Sequence, residues 1–178
     1  MSIIKCPVYI RETIEERRLL VPDLEKIVVM SDHRYVSAQV RCQMRKVCEQ
    51  YFPDLEVAYF TEGEYSLDQV LDSIESLDIQ KVGLLYYSWF QRKNLAGNKY
   101  LTSNNHKTIC SFDNHPIFTL EDVGMADGEM AGGYFYRGKD FAHPVMRTLR
   151  DVLNGKDPKT IPVHIAGKPD SSLSSQIS

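Results

Sequence analysis

Short runs of apolar, β-branched residues alternate along this chain with longer segments whose apolar side chains recur every three or four positions. That alternation of periods confines the chain to a fold in which strands and helices take turns. Lys26-Ile-Val-Val-Met30, closed by Ser31-Asp32, reads as a buried strand. From Val36 to Phe52 the apolar residues Val36, Val40, Met44, Val47 and Tyr51 are spaced to lie on one helix face, and Phe52-Pro53-Asp54 stops the helix. Glu56–Phe60 is the second strand. Ser66-Leu-Asp-Gln69 has the form of a capping box, and Leu67, Val70, Leu71, Ile74 and Leu77 give the helix after it an apolar stripe. Lys81–Tyr87 is almost wholly apolar and reads as a central strand. Lys107–Phe112 reads as a fourth strand, Pro116–Leu120 as a short extended piece, and Met130–Tyr136 as a further strand opened by small residues. Asp140 stands where it could cap a last helix with Pro144 in its first turn. Phe141, Val145, Leu149, Val152 and Leu153 would be the buried stripe of that helix, and Asn154-Gly155 its end. Near the start, Thr13-x-x-Glu16 suggests a helix over Ile14–Val21 ended by Pro22, with the strand-like run Lys5–Ile10 ahead of it.

Strands separated by helices of this length imply right-handed crossovers, hence an α/β fold with a doubly wound, mainly parallel sheet. The length of 178 residues is about one domain's worth, and 43% apolar content supplies a core. The net charge of −3 leaves no basic excess to neutralise phosphates, so nucleic acid is not an expected partner. No apolar run approaches the ~20 residues of a membrane span. No secretory leader is visible, because Glu15-Glu-Arg-Arg18 follows closely on the short Met1–Tyr9; the chain reads as cytosolic or as a piece of a longer protein. Cys6, Cys42, Cys48 and Cys110 form no CxxC pair and read as free, hydrophobic thiols, with a single disulfide of unspecified pairing as the alternative. Lys168–Ser178 is Ser-rich and polar, as a tail or linker would be.

Ligands of an open parallel sheet lie outside the carboxyl ends of its strands. The loops so selected are Asp32-His-Arg-Tyr35, Ser88-Trp-Phe-Gln-Arg92, Asp113-Asn-His115 and Glu121-Asp122 with Gly124-Met125. Such a rim suits a polar small molecule, with aromatics to stack on it and Asp, Asn and Arg to hold its hydrogen-bonding groups. Bland roles compete at each position. Asp32 could cap the next helix, Trp89 could be core, and Asp122 could be a solvated turn. His33, His115 and His143 read as surface or capping groups rather than metal ligands. Gly128–Gly133 opens a strand rather than a helix, so it is not a dinucleotide fingerprint. No GxSxG, GxxxxGK[ST] or HExxH pattern occurs. A phosphorylatable receiver domain wants an aspartate at the end of its third strand, where this chain has Tyr86-Tyr87-Ser88. Neither catalytic residues, a metal nor a cofactor is assigned.

From Pro7 to about Val163 the chain resembles the second lobe of a periplasmic-binding-protein-like module, in the ABC-type solute-binding form found as the extracytoplasmic sensor of bacterial two-component histidine kinases. The segments that carry the resemblance are Val21–Asp32, Leu84–Phe90, His115–Asp122, Met130–Tyr134 and Leu153–Val163, in that order. The resemblance implies a single Rossmann-like lobe of a type I periplasmic-binding-protein-like fold. Residues 1–22 would be a hinge strand and lead-in helix, residues 23–167 the lobe, and 168–178 a disordered tail or linker. It implies a ligand-sensing, non-enzymatic role outside the cytoplasm, with a small polar ligand held between two lobes and closure passed to a kinase. The ligand-facing positions would be Asp32, Tyr35, Ser88, Trp89, Asn114 and Asp122. The family's usual small residue after the first strand is replaced here by Arg34-Tyr35.

Under this resemblance the first lobe is absent from the chain, the membrane is reached only through flanking segments, and an uncovered face invites a homodimer. Two other readings compete. A substrate-binding protein of an ABC transporter would use the same lobe. A small flavodoxin-like enzyme would require Asp32, His33 and His115 to converge within hydrogen-bond reach.

Overall fold

The computed structural model describes residues 4–5, 7–93, 99–101, 105–112, 115–125, 128–162, 164–165 and 169–173. In chain order its elements are β1 (Ile4–Lys5), α1 (Ile10–Leu20), β2 (Lys26–Ser31), α2 (Tyr35–Tyr51), β3 (Glu56–Thr61), α3 (Leu67–Glu75), β4 (Val82–Tyr86), β5 (Gln91–Lys93), β6 (Lys99–Leu101), α4 (Asn105–Phe112), β7 (Ile117–Thr119), β8 (Gly132–Phe135) and α5 (Gly138–Leu153), then the 3₁₀ turn Pro158–Thr160, β9 (His164–Ile165) and β10 (Asp170–Leu173). The main sheet runs β10-β8-β7-β4-β2-β3. Five of its strands are parallel, and β10 joins the edge antiparallel to β8. This is the doubly wound α/β architecture the alternation implied.

Alternate side chains of each strand feed two cores, because successive residues of a strand point to opposite faces. Ile27 and Val29 of β2 join Leu85, Tyr87 and Phe118 under α1 and α2, through Ile10, Ile14, Val40, Met44 and Cys48. Val28 and Met30 join Leu84, Tyr86 and Ile117 on the other face, under Val70, Leu71 and Ile74 of α3 and Ile109 of α4. Each fully buried aliphatic side chain here is worth about 1.5–3 kcal/mol of transfer free energy. The capping box of α3 forms as expected, with the Gln69 backbone N–H donating to Ser66 Oγ (3.2 Å) and the Ser66 N–H to Gln69 Oε1 (2.8 Å).

Several expectations are corrected. Lys107–Phe112 is not a strand but most of α4. Its Thr and Ile favour strands only weakly, whereas β4 and β7 are parallel neighbours and need a crossover that leaves the sheet. The short piece at Pro116–Leu120 is the strand β7 itself. The first helix starts at Ile10, four residues early, and Thr13 lies inside it: Thr13 Oγ1 donates to the Tyr9 carbonyl (2.8 Å) and accepts from the Tyr134 N–H (3.1 Å). α5 begins at Gly138, not at a cap by Asp140, and Pro144 therefore stands inside it. Its apolar stripe is not buried: Leu149 is 47% and Leu153 77% exposed. Asp170–Leu173, taken with the tail, form the edge strand β10. Cys42, Cys48 and Cys110 are free, and burial pushes the Cys48 thiol up to about 11.

Among the described residues no helix is long and apolar enough to cross a membrane, and no group of three or more His, Cys, Asp or Glu side chains is placed to hold a metal ion.

β8 passes so close to β7 that a Cβ at Gly133 would sit 2.1 Å from the Thr119 carbonyl oxygen. Because the obstacle is backbone in the adjacent strand, it cannot swing away. Gly133→Ala is expected to cost about 3 kcal/mol or more, read as a lowered urea midpoint; an unchanged midpoint would contradict this close approach.

Candidate functional site

β2 delivers its last residues to the carboxyl edge of the sheet, and the chain turns at Asp32 into α2. Asp32 is fully buried. Its Oδ1 accepts from the Arg34 backbone N–H (3.0 Å) and Ser37 Oγ (2.5 Å), and its Oδ2 from Arg34 Nε (2.6 Å) and Ser88 Oγ (2.9 Å). Ser37 Oγ and Ser88 Oγ are 3.1 Å apart. Arg41, one turn along α2 from Ser37, donates from Nη1 to Ser31 Oγ (2.8 Å) and to the Asp32 carbonyl (2.7 Å). One carboxylate thus fastens the end of β2, the first turn of α2 and the end of β4 together. Burial by itself pushes the Asp32 carboxyl up, but the hydrogen bonds from Ser37, the Arg34 backbone, Ser88 and the Arg34 side chain outweigh it and hold the group below its ordinary range.

Around this knot lie side chains that point elsewhere. The Arg34 guanidinium carbon sits 4.3 Å from the Phe90 ring centroid. Tyr35 is 78% exposed at the start of α2. Tyr87, buried at the end of β4, is hydrogen-bonded to Glu121, and burial followed by the charge of Glu121 raises its hydroxyl to about 12. Glu121 meets solvent on its outer side, yet the protein packed about its carboxyl raises its pKa by desolvation, against the pull of Tyr87 and of the Arg34 charge. At the end of β3, the His33 Nδ1 is 3.5 Å from Oε2 of the buried Glu62.

The expected site residues separate into groups. Asp32 and Ser88 meet, but beneath the rim and saturated by protein partners. Tyr35 is the exposed member. Trp89 is 1% exposed and belongs to the core beside Met30 and Ile109; its carbonyl accepts from Asn105 Nδ2 (2.9 Å). Asp122 Oδ2 accepts from the N–H of Gly138 (2.5 Å), so it holds the first turn of α5. Asn114 lies outside the described residues. Arg34, Ser37, Tyr87, Phe90 and Glu121 were not singled out one by one. The strand-end rule had already selected the loops of Arg34, Phe90 and Glu121. Nothing in the sequence marks Ser37 as the residue that returns to Asp32.

The convergence of Asp32, His33 and His115 that the flavodoxin-like enzyme reading requires does not form. His115 Nε2 lies 3.1 Å from the Leu77 carbonyl, just before β4 and β7 begin, so it occupies the amino edge of the sheet while Asp32 and His33 occupy the carboxyl edge.

No family profile matches the sequence, and no curated protein matches it. Solved structures do resemble it. An ABC domain in complex with L-Trp from Streptococcus pneumonia matches with a TM-score of 0.68 at 14% identity, over 94% of this chain and 55% of that one. A conserved domain protein from Vibrio cholerae matches with a TM-score of 0.68 at 11% identity, over 99% of this chain and 55% of that one. The ligand-free, open form of a substrate-binding protein with adhesive properties from Clostridium difficile matches with a TM-score of 0.65 at 13% identity, over 99% and 56%. The fold is therefore that of a single α/β lobe of the kind these neighbours contain, one of them described as a substrate-binding protein, and the chain spans about half the length of each.

The Asp32 knot sets an acid limit on stability. A carboxyl held below its unfolded value of about 3.9 contributes stability that is complete above that pH and is lost as pH falls through the lower, folded value. Asp32→Asn is expected to be less stable than the parent by about 1–3 kcal/mol at neutral pH. Urea titrations should show that difference closing below about pH 4. A difference that stays constant down to the lowest pH would show that the charge of Asp32 contributes nothing.

Proposed function

We propose that this chain is one gripping lobe of a two-lobed module that binds a small polar molecule. The observation that carries the reading is the rim itself: a buried, saturated carboxylate fixes the strand-end loops, while Arg34, Tyr35 and Glu121 stand in or beside solvent at the same carboxyl edge. The structural neighbours support it, since this lobe is about half of proteins described as substrate-binding or as bound to an amino acid. A ligand touching both lobes would favour the closed arrangement by its differential affinity for it, and closure would be the output.

The parent we favour is the extracytoplasmic sensor of a two-component histidine kinase, on the sequence resemblance. A transporter's substrate-binding protein is the second reading, and the neighbours favour it, being an ABC domain and a substrate-binding protein. The two parents use the lobe alike and differ in what flanks it. Sequencing the parent reading frame decides between them, by a membrane span with kinase motifs downstream or by their absence. The exposed stripe Met146, Leu149 and Leu153 on α5 supports coverage by a companion surface, such as a second copy in a homodimer or the other lobe.

Half a clamp holds half the contacts. Calorimetric titration of a panel of small polar metabolites is expected to find a ligand of micromolar affinity or better for the parent protein, and weak or undetectable binding of the same ligand by this chain alone. Nanomolar binding by the 178-residue chain, or turnover of any panel member, would overturn the proposal.

A further inference from the structure

We propose that Arg34 is the anion receptor of this rim, and that the ligand presents a planar carboxylate to it; this rests on the binding-lobe reading above. Arg34 is held at three points. Its backbone N–H and its Nε both donate to Asp32 (3.0 and 2.6 Å), and its guanidinium stacks on Phe90 at 4.3 Å. Those contacts fix the plane of the fork and leave its terminal nitrogens unused: among the described residues the ion pair of Arg34 is with Asp32 alone, made through Nε. The side chain remains 54% exposed. A half-exposed guanidinium pinned through Nε and an aromatic ring keeps its terminal N–H pair for a carboxylate, which it can bind through two hydrogen bonds with little rotamer entropy left to lose.

The charges around Arg34 are mixed. Asp32 cancels one of two guanidinium charges at the end of β2, and Arg41, bonded to the Asp32 carbonyl, supplies the second. The opposing acids are Glu62, which faces His33 at 3.5 Å, and Glu121, whose carboxyl takes the Tyr87 hydroxyl and is pushed toward its neutral form by burial. These acids weigh more heavily against a dianion such as phosphate than against a single carboxylate. Asp32 cannot serve in the same role for a cation, because its two oxygens already accept four protein donors.

The test follows the side-chain N–H signals of isotope-labelled arginine in the 178-residue chain by NMR. The probes are benzoate, its neutral isostere benzamide, and inorganic phosphate. Benzoate is expected to shift the Arg34 terminal N–H signals saturably in the millimolar range, with benzamide and phosphate weaker. In uniformly labelled variants the reporters are the backbone N–H signals of Tyr35 to Ser37 at the start of α2, and Arg34→Gln should abolish their benzoate-dependent shifts. Arg34→Lys, which keeps the charge and loses the fork, should weaken benzoate binding about tenfold. Equal responses to benzoate and benzamide, a preference for phosphate, or unchanged benzoate binding in Arg34→Gln would overturn the assignment. The two proposals fail separately. A neutral metabolite that binds the parent protein equally with and without Arg34→Gln removes Arg34 and leaves the lobe reading standing. A parent that binds no small molecule removes both.

Discussion

A carboxylate buried at the end of the first long strand organises the working edge of this protein. Taking such a charge out of water costs several kcal/mol unless donors replace the lost hydration, and Asp32 is supplied with four of them. The donors come from the turn after β2, the first turn of α2 and the end of β4, so satisfying the charge requires all three segments to be in place at once. A single electrostatic demand therefore sets the positions of loops far apart in sequence, with Ser88 lying 56 residues from its acceptor. The residue that looks most like a ligand contact is in this way spent on architecture, and what it positions is the exposed part of the rim.

That division explains why the fold was more legible than the site. The strands β2, β3 and β4 and the helices α2 and α3 follow from periodicity, because burial on one or two faces is a local property that repeats along the sequence. The α4 segment misleads because Thr108, Ile109 and Cys110 suit a strand locally, while the demand that overrides them is topological: two parallel neighbours must be joined by a segment lying over the sheet. β10 escapes notice for a related reason. Asp170-Ser-Ser-Leu173 has no apolar alternation, and it is a strand only because β8 offers a free edge to pair with.

The last helix teaches a different lesson. Its apolar stripe is present in the sequence as read, with Phe141 and Val145 half-buried, but Leu149 and Leu153 stay largely open to solvent. Amphipathic periodicity reports that a face is fit for burial; it carries no information on whether the covering surface belongs to the same lobe. Asp122 shows the same limit for polar groups. A carboxylate beside Glu121 at a strand end suits a ligand and a helix start equally, and the choice depends on where Gly138 comes to rest, sixteen residues downstream.

If the lobe acts as the proposed half of a clamp, a rigid rim matters because such a clamp works only through the difference in affinity between its open and closed states. Moving a closure equilibrium from 1:99 to 99:1 takes a differential of about 5.5 kcal/mol. Much of the gross contact energy would be lost to ordering if the gripping side chains were free to rotate in the open state. In this lobe the ordering is done on folding: Asp32 fixes the backbone of the turn, Phe90 and Asp32 together fix the plane of Arg34, and Glu121 fixes the Tyr87 hydroxyl. Contacts made by a second surface closing over such an edge can then go into the difference between states rather than into straightening the first.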